Sequence, residues 1–376
     1  MRIPSQFGYA LGGCAALALL AGCSSSGVGA NGPAVSQGAG NRQLTPQSVS
    51  PYAAQLASGA RPDVQVQLPV SASVKGFKSA AFYASGGATM FISDYTNNVV
   101  YVLNQQGVLT ATLTGFSRPD GMAIDKNGNL YVTNVGTTNI VELAPPYTSV
   151  TKTYSDTGYV PIGVAVDGNG NVAVTNIFTT SYRAGNVMFY AAGSTIPTGM
   201  ASSVNFPSPR FCAFDKRGDL FLDDWVRHTD STNVGTILRG NLKNMNASIT
   251  TLTTGNTIIY PGGVQLSTHD ELAIGDQGRP EQGGGGDQAI YTYALPAGTN
   301  LGSPISTTPE TGTTDPVNFA FGPGRHQFLT ADFSANDVDM FAYPAGGAAL
   351  KTITIAGSSG PIGEAIAPTR NFILQH

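Results

Sequence analysis

Apolar and polar residues alternate along this chain in short runs, and the runs come in sets. Residues 118–143, RPDGMAIDKNGNLYVTNVGTTNIVEL, show one set in full. An apolar run at 122–124 opens behind Pro119 and Gly121. A tight turn follows, Asp125-Lys-Asn-Gly-Asn129, in which Gly128 supplies the positive φ that closes a hairpin. Leu130 to Asn134 alternates with a period of two, and a second turn at 136–139 leads to an apolar run at 140–143. Period-two runs between turn residues predict short strands, and no long window carries a helical period.

The set repeats. Its opening run recurs behind prolines at 119, 161, 209, 261, 316 and 361, with a weaker copy lacking proline at 79–83. Second strands are predicted at 90–94, 130–134, 172–176, 220–224, 272–276, 328–332 and 372–375. Third strands are predicted at 99–103, 140–143, 187–190, 236–239, 289–293 and 338–343. Repeats of roughly 40 to 55 residues, each with about four short strands, are the pattern of propeller blades, which bury their faces only against one another. The fold class is therefore all-β, a β-propeller of four-stranded antiparallel blades. Seven opening and seven second strands favour seven blades. Residues 64–68, VQVQL, would then lend an outer strand to the last blade, so that N- and C-terminal strands pair to close the ring. The alternative is six blades, with the C-terminal strands supplementing the first.

Residues 119–141 carry Pro119, Gly121, Ala123, Asp125, Gly128-Asn129, Tyr131-Val132, Asn134 and Asn139-Ile-Val141. This series resembles the NHL-repeat family and the related gluconolactonase- and streptogramin lyase-like propellers. The resemblance extends from about residue 75 to the end of the chain. It implies the fold, and it implies no single activity, because such propellers host many functions.

The N-terminus reads as an address. Arg2, an apolar run at 15–21 and small residues before a cut describe a signal peptide over residues 1–22. Leu20-Ala21-Gly22-Cys23 resembles the bacterial lipobox, which implies cleavage before Cys23 and its lipidation. By the same resemblance, Ser24 in place of an aspartate points to the outer membrane, hence a cell-envelope location facing the periplasm or the surface. Residues 23–62, rich in Ser, Gly, Ala, Gln and Pro, read as anchor and tether. Residues 63–376 form a single propeller domain. With Cys14 in the leader and Cys23 acylated, Cys212 is left as a lone thiol in an apolar strand. Charged residues are only 11%, the net charge is −4 and no Lys/Arg cluster occurs, so nucleic acid is not an expected partner. The expected partners are a membrane through Cys23 and an unidentified protein or small molecule, with the propeller a monomer.

Candidate chemistry lies in the connections between second and third strands. They are long in three consecutive repeats, at 177–186, 223–233 and 277–287. Loops raised side by side on a rigid scaffold are where binding residues gather. Tyr182, Arg183, Arg210, Trp225, Arg227, His228 and Arg279 are the ligand-binding candidates there, with Phe178 and Glu281 beside them. Aromatic residues with Arg make binding hot spots, while Trp225 can equally cap the core. Asp94, Asn134, Asn176, Asp224, Asp276 and Asp332 end successive second strands. Resemblance to gluconolactonases makes Asn134, Asn176, Asp224, Asp276 and Glu364 candidate ligands of a divalent ion, calcium, magnesium or zinc. Glu364 stands one step out of register with that family's glutamate. The competing reading is that each Asp or Asn satisfies N–H groups of its own loop. The Asp-x-x-Gly-Asn runs at 125, 167 and 215 lack the spaced acids of a calcium loop and read as turns. His269 and His326 fall in first-to-second-strand turns, away from His228. No nucleophile elbow or phosphate loop occurs. These residues argue for a binding module, with no cofactor expected and a metal-dependent hydrolase or lactonase as the alternative.

Overall fold

The structure is a computed structural model of the 376-residue chain. It describes residues 74–75, 88–181, 184–202, 207–225, 235–241, 249–267, 269–278, 288–322 and 324–367, with backbone alone at 74–75, 225 and 235–241. The leader, Cys23, the tether and the runs at 64–68, 79–83 and 372–375 lie outside the described residues. Among the described residues, no helix is long and apolar enough to cross a membrane.

The described strands form six sheets. Sheet 1 runs Pro361–Ala367, Thr89–Asp94, Val99–Asn104, Leu109–Thr114, with Val74–Lys75 on its outer edge. Sheet 2 runs Pro119–Ile124, Leu130–Asn134, Asn139–Leu143, Val150–Ser155. Sheet 3 runs Tyr159–Val166, Val172–Thr179, Ala184–Tyr190, Gly199–Ala201. Sheet 4 runs Pro209–Phe214, Asp219–Trp225, Gly235–Asn241, Ile249–Thr254. Sheet 5 runs Pro261–Leu266, Glu271–Asp276, Ala289–Ala294, Ser306–Thr311. Sheet 6 runs Pro316–Phe321, Gln327–Asp332, Asp337–Ala342, Lys351–Thr354. The first strand of each sheet packs against the first strands of its two neighbours, and these six inner strands close a ring. Each second strand has a sheet on both sides, which is why Met90–Ile92 and Leu130–Val132 are apolar or aromatic on both faces and fully dry.

The expectation of seven blades is corrected. Pro361–Ala367 begins no sheet of its own. It pairs antiparallel with Thr89–Asp94, from Thr89↔Ala367 to Asp94↔Pro361, as the inner strand of sheet 1. The two ends of the described body are thus joined by hydrogen bonds between Pro361–Ala367 and Thr89–Asp94.

The Pro-x-Gly signature is a bulge. In all six inner strands, register with the second strand shifts directly after the proline. Proline brings no N–H to the ladder, and the extra residue bends the strand along the axis. Glycine then permits close contact with the next sheet. A Cβ on Gly121 would lie 2.3 Å from the Ile162 carbonyl oxygen, and one on Gly363 would lie 2.3 Å from that of Asp120. Hydroxyls of the second strand pin the same carbonyls: Ser93 Oγ donates to Asp120 O at 2.7 Å and Thr133 Oγ1 to Ile162 O at 3.0 Å. Thr175 Oγ1 donates likewise to Arg210 O. Outer edges are protected by the connection between third and fourth strands of the next sheet. Asn300–Gly302 of that connection in sheet 5 pairs parallel with sheet 4, and Gly347–Ala348 in sheet 6 pairs parallel with sheet 5.

Candidate functional site

The face of interest carries the loops that lead into the inner strands and those that join second to third strands. Its frame is built by the Asp or Asn that ends each second strand. Asp94 accepts N–H of Ser359 at 2.9 Å, Asn134 that of Ser117 at 3.1 Å and Asp224 that of Ser208 at 2.6 Å. Asp276 accepts Ile259 and Tyr260 N–H at 2.8 and 2.9 Å, and Asp332 accepts Asp315 N–H at 3.0 Å. Each side chain thus ties its sheet's incoming loop to the second strand, as side-chain acceptors do for loop N–H groups. Asn176 differs: its amide donates to Asn186 Oδ1 at 2.8 Å.

The residue after this acceptor turns inward. Tyr95, Val135, Ile177 and Phe333 are buried, and they join Ile162, Phe211, Val317 and Ile362 of the inner strands in one continuous apolar cluster. That cluster draws on all six sheets and plugs the axis on this face. Trp225 holds the corresponding strand position in sheet 4, opposite Gly235. Single apolar residues at loop starts gave no periodic signal, so sequence reasoning missed the plug. The recurrence of an apolar or aromatic residue after five of the six strand-ending Asp or Asn residues, all but Asp276, was the available clue.

Among the described residues, Arg210 is the largest fully buried side chain. Its Nη1 donates to Pro261 O at 2.8 Å, and its guanidinium lies 4.9 Å from the Tyr260 ring and 5.2 Å from that of Phe211. Gln277 Nε2 donates to the same Pro261 oxygen at 3.0 Å. Arg210 therefore clamps sheet 4 to sheet 5 from within. Burial pushes the Asp223 carboxyl up to about 6, with the Arg210 charge pulling the other way. Burial also pushes Asp224 up to about 7, and the charge of Asp223 adds to this. Of the remaining binding candidates, Tyr182, Arg183, Arg227, His228 and Arg279, with Glu281, lie outside the described residues. Phe178 is half-buried against the apolar cluster. The hairpins of sheets 3 and 4 do continue past the plug, pairing Phe178 with Ala184 and Trp225 with Gly235.

Glu364 is buried between sheets 6 and 1, where its Oε1 accepts the Ala331 N–H. Burial raises it well above the usual carboxyl range, and Glu310 and Asp120 add to the rise. Asn134, Asp224 and Asp276 face their own loops, so the hydrogen bonds do not bring the five metal candidates to one point. Among the described residues, the one trio of acids close enough to share a cation is Asp332, Asp337 and Asp339, with oxygens within 4.8 Å of one another. Asp332 is engaged by loop N–H groups and Asp339 by Thr352 Oγ1 at 2.5 Å.

The axial cavity, about 100 Å³, is lined by inner-strand residues that include Ala123, Ala165, Ala213 and Gln265, and it reaches Asp167, Asp215 and Lys216 on the opposite face. There the first Asp of each turn is engaged: Asp125 Oδ1 accepts N–H of Asn127 and Asn129, both at 2.8 Å, and Asp167 and Asp215 do the same in their turns, the last of which ends in Asp219 rather than Asn. His269 and His326 sit on this face. Cys212 is a buried free thiol, raised by burial.

No protein-family model matches the chain, and no curated protein matches it. Solved structures do. A chain from a nidogen/laminin complex superposes with TM-score 0.56 at 16% identity, covering 75% of this chain and 99% of that one. A protein of unknown function from Bacteroides caccae gives TM-score 0.54 at 6% identity, over 74% and 98%. A putative 6-phosphogluconolactonase from Bacteroides fragilis gives 0.50 at 12% identity, over 76% and 99%. At these identities the likeness is one of fold: the chain is a β-propeller.

Proposed function

We propose that this protein is a binding module of the bacterial cell envelope, held by an acylated Cys23, which engages a protein or small molecule through the long connections of sheets 3 to 5. The observation that carries this reading is the apolar plug. On the face where the long connections stand, Tyr95, Val135, Ile177 and Phe333 fill the axis, so a ligand approaching there meets the raised hairpins and not an axial cavity. Of the acids that a metal-dependent hydrolase would direct at the axis, Asp224 and Asp276 are engaged with loop N–H groups instead. A rigid closed ring carrying three adjacent long connections suits recognition, because the scaffold pre-orders its neighbours.

The test is site-specific photocrosslinking in cells, with a benzoylphenylalanine at position 227 and, as control, at position 127 in an exposed turn of the opposite face. A discrete adduct from 227 alone supports the reading. Adducts from 127 alone, or none from 227, overturn the choice of face. Labelled palmitate should enter the chain and be lost in Cys23→Ala; incorporation that survives the substitution refutes the anchor.

A further inference from the structure

Among the described residues, all six large apolar side chains that stand exposed belong to one class of connection. Val108, Leu109, Ile196, Met200, Ile305 and Leu350 lie in the third-to-fourth-strand connections of sheets 1, 3, 5 and 6, or open the strand just after. Their exposure runs from 41% at Leu109 to 71% at Ile196. A single exposed apolar residue is ordinary; confinement of every one to a single set of connections is not. Strands alternate in direction within each sheet, so this set shares a face with the first-to-second-strand turns, opposite the long connections. It forms the outer rim of that face. The rim is also uncharged: connections 105–108, 144–149, 191–198, 295–305 and 343–350 hold no Asp, Glu, Lys, Arg or His. The turns inside the rim do carry charge, with Lys126, Lys216 and Arg217 exposed. Their Asp125, Asp167 and Asp215 are engaged by N–H groups of the same turns.

A protein partner is gripped by anchors gathered in one well-packed patch. Here the apolar residues are spread around the rim, one or two to a sheet. A lipid surface takes all of them at once, because it needs no matching pockets, and a rim without charge enters it with no ion to desolvate. The N-terminal segment points to the same partner. Val74–Lys75 pairs with Leu113 and Thr112 of the strand that Leu109 opens, and residues 24–73 lead from there back to Cys23. A flexible chain of that length spans about 40 Å. An acylated Cys23 therefore holds the rim within reach of its own bilayer, where weak contacts act at high effective concentration. We infer that this rim rests on the lipid surface that anchors Cys23, with its apolar side chains about 5–10 Å into the boundary between headgroups and acyl chains. The long connections are thereby turned outward, toward what they bind. The inference rests on the anchored binding module proposed above.

The experiment uses the full acylated chain, extracted from membranes and reconstituted on vesicles of phosphatidylethanolamine and phosphatidylglycerol. Ile196→Cys and Ile305→Cys on the rim, and Ala335→Cys in an exposed turn of the long-connection face, are labelled in turn with an NBD fluorophore. Cys212 is buried and stays unlabelled. Labels at 196 and 305 should shift to the blue and lose about half or more of their emission to a nitroxide-bearing lipid, while the label at 335 keeps the spectrum of water. A chain that floats with the vesicles while 196 and 305 stay unquenched overturns this inference and leaves the anchor standing. A chain that does not float refutes the anchor, and this inference with it. A blue shift at 196 that appears without vesicles and grows with protein concentration assigns the rim to a second copy of the chain, and overturns the inference too.

Discussion

Gly163→Ala tests whether close contact between inner strands holds the ring together. A Cβ at this position would lie 2.4 Å from Arg210 O, 2.5 Å from Thr175 Oγ1 and 2.9 Å from the Phe211 Cα. Two of these atoms are backbone of the next sheet, and Arg210 is itself clamped to Pro261. The strand cannot yield locally, so sheets 3 and 4 must separate by some tenths of an ångström. Overpacking of this kind costs about 1–3 kcal/mol. The displacement also weakens the Thr175–Arg210 bond and the Gly163 N–H bond to Thr175 Oγ1, 3.1 Å long, at about 1 kcal/mol each. Loss of unfolded-chain entropy returns about 0.4–1 kcal/mol. The expected net loss is about 2–4 kcal/mol, a fall in Tm of roughly 5–10 °C for a domain of this size. Urea unfolding and calorimetry read it, with Gly298→Ala as control because nothing lies within 4 Å of its added Cβ. A Gly163→Ala midpoint indistinguishable from that of Gly298→Ala would refute the argument.

Further outcomes follow from the same geometry. Thr133→Val keeps the shape but leaves the buried Ile162 carbonyl without its 3.0 Å donor, and should cost about 1–3 kcal/mol in urea unfolding; no change would remove the hydroxyl from the account. Burial pushes the Asp156 carboxyl up to about 7, so the stability it lends is complete below pH 4 and lost as pH rises through 7. Asp156→Asn should therefore flatten the pH dependence of Tm between 4 and 8; an unaltered slope counts against the assignment. Cys212, buried and raised, should resist Ellman's reagent until the protein is unfolded, and fast labelling of the native chain would contradict its placement. Melting with EDTA should match melting with added calcium; a large fall on chelation would favour the metal-dependent alternative.

The strands were legible in the sequence because their causes are local. Proline and glycine mark each bulge, Asp-x-x-Gly-Asn writes its own turn, and a period of two follows from the pleat. A repeat of these sets is enough to require blades, since no set can bury both faces alone. The number of sheets is not local. Residues 361–367 look the same whether they open a new sheet or complete the first, and only pairing with Thr89–Asp94, more than 260 positions away, decides it. The acids at the second-strand ends were equally visible and equally ambiguous. Asp276 has the same letters whether it faces a cation or the N–H groups of Ile259 and Tyr260, and the incoming loop settles which.

The sequence by itself determined that this chain makes short antiparallel strands in repeating sets, where the turns fall, and which connections are long. Tertiary structure decided that six sheets close the ring, that Arg210 is an internal clamp, that an apolar plug fills one end of the axis, and that Glu364 is buried against Ala331 of the neighbouring sheet. The reason is physical: turn and strand preferences act over a few residues, whereas closure, burial and the environment of a carboxyl depend on residues that only folding brings together.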